Sequence, residues 1–172
     1  SIFKQPDKQN LLITRVIFRL PKTPHINFSY KALYDAFTNP ETATAHEIRQ
    51  KVIEIRRSKL PDHKEIGNAG SFFKNPVVTY EIATLLKTKY ENIPHWEVND
   101  NKTKFSAAWF IEKCGLKGYT TASGAGVCKT QPLVLVNYGT AKGSDIIDLS
   151  KQIIKTVYEN FGIELEAEVN IW

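Results

Sequence analysis

Gly67-Asn68-Ala69-Gly70-Ser71-Phe72-Phe73-Lys74-Asn75-Pro76 is the stretch from which the rest of the chain can be read. Two glycines flank a small dipeptide, and a serine follows at once. Glycine reaches positive φ, or lets a backbone approach a ligand closely, where other residues resist. The Ser71 hydroxyl then emerges where side chains are scarce, with the Lys74 charge and the Asn75 amide within reach. Two readings are open. One is a tight turn leading into a strand or helix, with Phe72 and Phe73 as core. The other is a loop that presents Ser71 to a ligand.

Upstream, Leu11 to Leu20 alternates and predicts a strand, with Leu12, Thr14, Val16, Phe18 and Leu20 on one face. Phe28-Ser29-Tyr30 reads as a short extended piece and Lys31 to Phe37 as a short helix. Thr44 followed by Glu47 is a capping-box pattern and opens a helix to Ser58. Its stripe is Ala45, Ile48, Val52 and Ile55, and the rest of it is basic. Leu60-Pro61-Asp62 breaks it, and a domain boundary is placed near residue 62.

Downstream, Thr79 is the expected N-cap of a helix to about Lys89, with Ile82, Leu85 and Leu86 buried. A polar, hairpin-like loop runs from Asn99 to Lys102. A third helix is expected over Lys104 to Cys114, with Phe105, Ala108 and Trp109 inward and Gly115 as its stop. Tyr119 to Val127 reads as a loop or irregular strand, and Leu133 to Val136 as a buried strand. Ser144 is expected to cap a long helix that ends at Phe161 before Gly162. Ile163, Leu165, Ala167, Val169 and Ile171 alternate with Glu164, Glu166, Glu168 and Asn170, the pattern of a half-buried strand. The sum is an α+β fold with helices packed on a mostly antiparallel sheet.

The chain has 172 residues, room for one domain or two small ones. Because it starts with Ser and contains no Met, it is expected to be a fragment or a processed product. No secretory signal or membrane-length apolar run is read, so no membrane partner is expected. Cys114 and Cys128 make no metal pattern and read as reduced thiols in a cytoplasmic protein. His25, His46, His63 and His95 are scattered, which argues against metal catalysis. Gly70-Ser71-Phe72 lacks the second glycine of a hydrolase nucleophile elbow, and no dinucleotide or phosphate-loop glycine pattern is present. The net charge of +5 suits an anionic ligand, but the basic residues are spread along the chain and do not mark a nucleic-acid surface.

The decapeptide at residues 67–76 closely resembles a signature of the UDP-N-acetylenolpyruvoylglucosamine reductase family. The resemblance runs in order through Ser1-Ile2-Phe3-Lys4, Ser29-Tyr30, Lys59-Leu60-Pro61-Asp62, Leu116-Lys117-Gly118, Gln131 before Leu133-Val134-Leu135-Val136-Asn137, and Leu165-Glu166-Ala167-Glu168-Val169. It implies the C-terminal half of a reductase that uses FAD and NADPH to make UDP-N-acetylmuramate for peptidoglycan, with most of the flavin site in the other half. Residues 1–62 would end the FAD-binding domain, 63–162 would form the substrate-binding domain, and 163–172 would be a strand returning to the flavin region.

By the same resemblance, Ser71 is the proton donor and Glu168 the second catalytic acid. Tyr30, Lys59, Asn75, Lys117 and Gln131 match positions that grip the UDP-sugar, and Arg56 is a further candidate for the diphosphate. Trp96, or alternatively His95, stands where the family has a tyrosine that closes over the nucleotide. The family usually reads Pro-Glu-Val-Arg where this chain reads Ala167-Glu168-Val169-Asn170, which removes a charge near Glu168. A monomer is expected, with a UDP-sugar as its partner and no nucleic acid. The rival readings are a non-catalytic α+β module that holds a UDP-sugar or other anionic ligand, and a nucleic-acid-binding domain whose affinity falls steeply with salt.

Overall fold

The computed structural model describes residues 11–23 and 25–171. The Ser1-Ile2-Phe3-Lys4 segment of the resemblance and Trp172 lie outside them. The chain divides after Arg49 into two compact units.

In the first unit, Leu11 to Leu20 is irregular and its apolar side chains are exposed, Leu12 and Ile17 above four-fifths. The predicted strand does not form, because a strand is stable only when a neighbour takes its N–H and C=O groups. None of the described strands belongs to this unit. Helix α1 is a single turn, Lys31–Tyr34, shorter than expected. Phe28 packs edge-on against Tyr34 and Phe37 beside it. Helix α2, Ala45–Lys59, crosses the division, and its expected capping box is present. The Glu47 carboxylate accepts from the Thr44 N–H at 2.8 Å, and the Thr44 hydroxyl accepts from the Glu47 N–H at 3.3 Å. The Thr44 N–H and the Thr44 hydroxyl, both donating to the Glu47 carboxylate, hold that carboxyl below its usual range.

The second unit carries two three-stranded sheets. Strands β1 (Gly67–Ser71), β6 (Val134–Asn137) and β5 (Ala125–Val127) form one, in the order β1-β6-β5. Strands β2 (Val77–Thr79), β4 (Lys102–Phe105) and β3 (His95–Asn99) form the other, in the order β2-β4-β3. Every pairing within these sheets is antiparallel. Helices α3 (Tyr80–Lys89), α4 (Ala107–Lys113) and α5 (Gly143–Phe161) complete the α+β fold. Among the described residues, no helix is long and apolar enough to cross a membrane.

Helix α5 buries Leu149, Ser150, Ile153 and Val157 against β5 and β6, and Gly162 at φ 67° ends it. Its first turn starts one residue before Ser144. The N-cap is Lys142, whose N–H donates to the Asp145 carboxylate at 2.7 Å. Helix α3 buries Ala83 and Leu86, while Leu85 is 71% exposed, so its inner face is narrower than the sequence suggests. Thr79 precedes α3 but its hydroxyl caps no helix N–H. It bonds the Glu81 carboxylate and lowers that group's pKa.

The third helix is also shorter than expected. Lys104 and Phe105 belong to β4, because Thr103 and Phe105 alternate into the core and β4 is paired on both edges. The helix begins after Ser106, whose hydroxyl accepts the Trp109 N–H at 3.3 Å. Its buried face is Ala107, Phe110 and Ile111. The loop Asp100-Asn101 closes the β3–β4 hairpin as predicted, with the Asn99 amide oxygen accepting the Asn101 N–H at 3.1 Å. Cys114 and Cys128 are free thiols, and burial pushes the Cys114 thiol up.

Gly126 lies where β5 runs closest to its neighbours. A Cβ there would stand 2.8 Å from Tyr138 Cε2 and 3.1 Å from the Tyr119 carbonyl oxygen. The Tyr138 ring can swing outward, but the Tyr119 carbonyl is fixed by the Val127 N–H at 2.8 Å. Gly126→Ala is expected to cost about 1–3 kcal/mol, read as a lowered denaturant midpoint. A change below a few tenths would mean that this backbone yields easily.

Candidate active site

The glycine stretch is neither a plain turn nor a loop. It is an edge strand with an extra residue. Asn68 pairs with Val136 and Ser71 with Val134, so three steps along β1 oppose two along β6. That is a β-bulge, a device that bends a strand and re-aims the next side chain. Gly70 absorbs it at φ +74°, in the left-handed region that a Cβ disfavours. The Asn68 amide scaffolds it. Its oxygen accepts the Gly70 N–H at 3.1 Å, and its NH₂ donates to the Ile66 carbonyl at 2.8 Å and the Pro61 carbonyl at 3.4 Å. Sequence reasoning assigned Asn68 no role. The signal was an asparagine two residues before a glycine.

Ser71 leaves the bulge exposed, and Phe72 and Phe73 after it are buried. The Phe72 N–H still bonds β6, donating to the Leu133 carbonyl at 2.7 Å. One residue later the chain takes a new partner. Phe73 bridges Ala167 antiparallel, the Glu168 N–H donates to the Phe72 carbonyl at 2.8 Å, and the Lys74 N–H donates to the Glu166 carbonyl at 2.8 Å. The C-terminal segment is thus no regular strand. It makes one bridge, although its burial alternates as predicted: Ile163 and Leu165 are inside, and Glu164, Glu166 and Glu168 are exposed. This pairing brings Glu168 to the residue that follows Ser71.

An open cleft of about 1000 Å³ lies beside the bulge. Arg56 and Arg57 of α2, the Leu60–His63 turn and Asn68–Gly70 wall it. The end of α2 is tied to the loop before β6. The Thr130 hydroxyl donates to the Lys59 carbonyl at 2.9 Å, one residue from Gln131. Lys59 is exposed. The Gln131 side chain turns back on its own loop, accepting the Leu133 N–H at 3.4 Å.

The other predicted residues are spread. The Asn75 amide oxygen accepts the Ala107 N–H at 3.0 Å, so Asn75 anchors the start of α4 and keeps its NH₂ for other work. Trp96 stands half-exposed on β3, paired with Lys104 of β4, whose ammonium lies 5.6 Å from the indole centroid. His95 instead bonds the Ile93 carbonyl through Nδ1 at 2.9 Å and leans on Phe105. Lys104 is a cation that sequence reasoning missed, because it was placed in a helix. The alternation Thr103, Phe105 was the signal. Lys117 pairs with Glu112 at 2.7 Å. Tyr30, in the first unit, stands just before α1, and its carbonyl accepts the Leu33 N–H at 2.9 Å.

Ser71 and Glu168 thus carry a hydroxyl and a carboxyl on neighbouring positions of the paired chain, near a cleft lined by Arg56 and Arg57 together with Asp62 and Glu65. Over residues 61–172 the chain matches the family described as UDP-N-acetylenolpyruvoylglucosamine reductase, C-terminal domain. A UDP-N-acetylenolpyruvoylglucosamine reductase from Flavobacterium johnsoniae is 45% identical over 174 residues, covering 99% of this chain and 51% of the relative. A protein of the same name from Porphyromonas gingivalis is 46% identical over 170 residues, covering 98% and 50%. One from Chromobacterium violaceum is 41% identical over 170 residues, covering 98% and 50%. The chain spans about half the length of the curated relatives it matches.

Proposed function

Because the chain belongs to the UDP-N-acetylenolpyruvoylglucosamine reductase family, C-terminal domain, we propose that it is the substrate-side half of such a reductase. The reaction is the reduction of UDP-N-acetylglucosamine enolpyruvyl ether to UDP-N-acetylmuramate, with FAD as cofactor and NADPH as reductant, in peptidoglycan precursor synthesis. The observation that carries this reading is the pairing that sets Glu168 against Phe72, the residue after Ser71. The protein works in the cytoplasm as a monomer. Residues 1–62 close the flavin-binding domain, residues 63–162 hold the substrate, and residues 163–172 return to the flavin region.

A Cβ added at Gly70 would meet no atom within 4 Å, so the bulge leaves open space there for a ligand to approach. A cradle for the dinucleotide phosphates is not found among the described residues, and it belongs in this reading to the part of the relatives this chain does not span. When bound, the reduced flavin supplies the hydride that saturates the enol ether's methylene carbon.

This chain supplies the proton and the charge control. Ser71 gives its hydroxyl proton to the adjacent carbon. A serine is a weak acid in water, and it serves here only because the bulge fixes it on rigid backbone against that carbon. Glu168 is the second acid of this reading, set at the oxygen that gains charge as the enolate forms. Lys59, Arg56 and Lys104 offset the diphosphate charge, Trp96 covers the uracil, and Asn75, Lys117 and Gln131 complete the grip.

Calorimetric titration of the full-length protein with the enolpyruvyl ether tests the grip. Removing the Lys59 ammonium in Lys59→Ala deletes a charge-assisted hydrogen bond and weakens binding by about 10- to 100-fold. Unchanged affinity in both Lys59→Ala and Trp96→Ala would sink this assignment. Tight binding with no turnover would favour a non-catalytic UDP-sugar module.

A further inference from the structure

Beyond Leu165 the C-terminal segment runs along the surface. Ile163 and Leu165 are buried anchors, but Glu166, Glu168, Asn170 and Ile171 are exposed and Ala167 and Val169 are only half-buried. Its backbone is tied to the glycine stretch by the Lys74 N–H to Glu166 carbonyl bond and the Glu168 N–H to Phe72 carbonyl bond. A side-chain pair crosses at the same place: the Lys74 ammonium donates to the Glu166 carboxylate.

We propose that Lys74 and Glu166 form a clasp that positions Glu168 beside Ser71. This rests on the reading of Ser71 and Glu168 as the proton-transfer pair. Lys74 is a positioning residue, since its charge is engaged by Glu166.

Ion pairs this exposed ordinarily contribute little, because water screens them and two long side chains must be ordered. The geometry here removes part of that cost. Lys74 sits between two fixed residues, Phe73 at 1% exposure and Asn75 bonded to the start of α4. Glu166 follows the buried Leu165 and is itself bonded through its carbonyl to the Lys74 N–H. Both backbones are placed before the side chains meet. The clasp does not stabilise the fold as a whole. It sets the register and closeness of the last short pairing, and Glu168 lies in that pairing. Glu164 lines the same cleft as Lys74 and Glu166, so it is the rival carboxylate and the natural control.

The test uses the full-length reductase with FAD bound. Lys74→Met, Glu166→Gln, the exchanged pair Lys74→Glu with Glu166→Lys, and the control Glu164→Gln are compared. Amide hydrogen exchange at Glu168 and steady-state kinetics are read together. The single variants are expected to speed exchange at Glu168 about tenfold and to lower kcat about tenfold with KM within about twofold. The exchanged pair recovers most of both, and Glu164→Gln leaves both unchanged. If exchange and kcat do not move in Lys74→Met while Glu168→Gln still inactivates, the clasp is wrong and the site assignment stands. If exchange speeds up but kcat holds and Glu168→Gln is fully active, the site assignment itself fails and takes the positioning role with it. Loss of kcat that the exchanged pair does not recover also overturns the clasp.

Discussion

Ser71→Ala in the full-length protein is expected to lower kcat by about 10³-fold and to leave KM within about twofold, the range for removal of a positioned general acid, which is the role proposed for Ser71. The change deletes one oxygen from an exposed side chain, so folding and substrate affinity have little reason to shift. The bulge itself is held by the Asn68 amide and by Gly70, neither of which involves the Ser71 hydroxyl. The defect therefore falls on the proton-transfer step alone. Rapid-mixing absorbance of the proposed flavin would separate the two halves of the proposed reaction. Reduction by NADPH should proceed at the parent rate, while reoxidation by the enolpyruvyl ether should slow by the full factor. Equal slowing of both halves would assign Ser71 to the architecture of the site, and parent-level kcat would remove it from the mechanism.

The largest stability effect is expected at Phe110. It is fully buried, and its ring meets Phe105, Trp109 and Phe161 at centroid distances of 6.4, 5.4 and 5.1 Å. These rings come from β4, α4 and the last turn of α5, so Phe110 joins one sheet to the helix that covers the other. Phe110→Ala is expected to cost about 3–5 kcal/mol, the transfer free energy of the ring plus the cavity it leaves. Urea unfolding followed by tryptophan fluorescence measures it, since Trp109 lies against the missing ring. A loss under about 1 kcal/mol would mean that Trp109 and Phe161 collapse into the space, and that α4 carries less of the core than its burial implies.

Local signals in the sequence were reliable where local interactions decide the structure. The Thr44–Glu47 box closes within one turn, and the helix it opens forms to within a residue of expectation. The apolar repeat of α5 and the Gly162 stop are likewise short-range. The Asn99–Lys102 loop closes a hairpin through its own Asn99 side chain. The decapeptide at residues 67–76 pointed to the candidate site because its residue types are unusual at that spacing. Lys104 escaped because an apolar position on a strand and one on a short helix look alike over a few residues.

Two alternating segments show the limit best. Leu11 to Leu20 and Ile163 to Ile171 carry the same period-two pattern, yet the first is irregular and exposed and the second makes a single bridge. Alternation describes a face. A strand also needs a partner for its backbone, and the partner is chosen by the rest of the fold. The bulge at Gly70 could not be read either, because it is a mismatch of register between β1 and β6, segments far apart in the chain. The meeting of Glu168 with Phe72, next to Ser71, has the same origin. By itself the sequence determined the residue types of the candidate site, the extents of α2 and α5, and the family. Only the tertiary structure decided which backbone Phe72 and Lys74 bond to, because those hydrogen bonds join distant segments and form only once the core has brought them together.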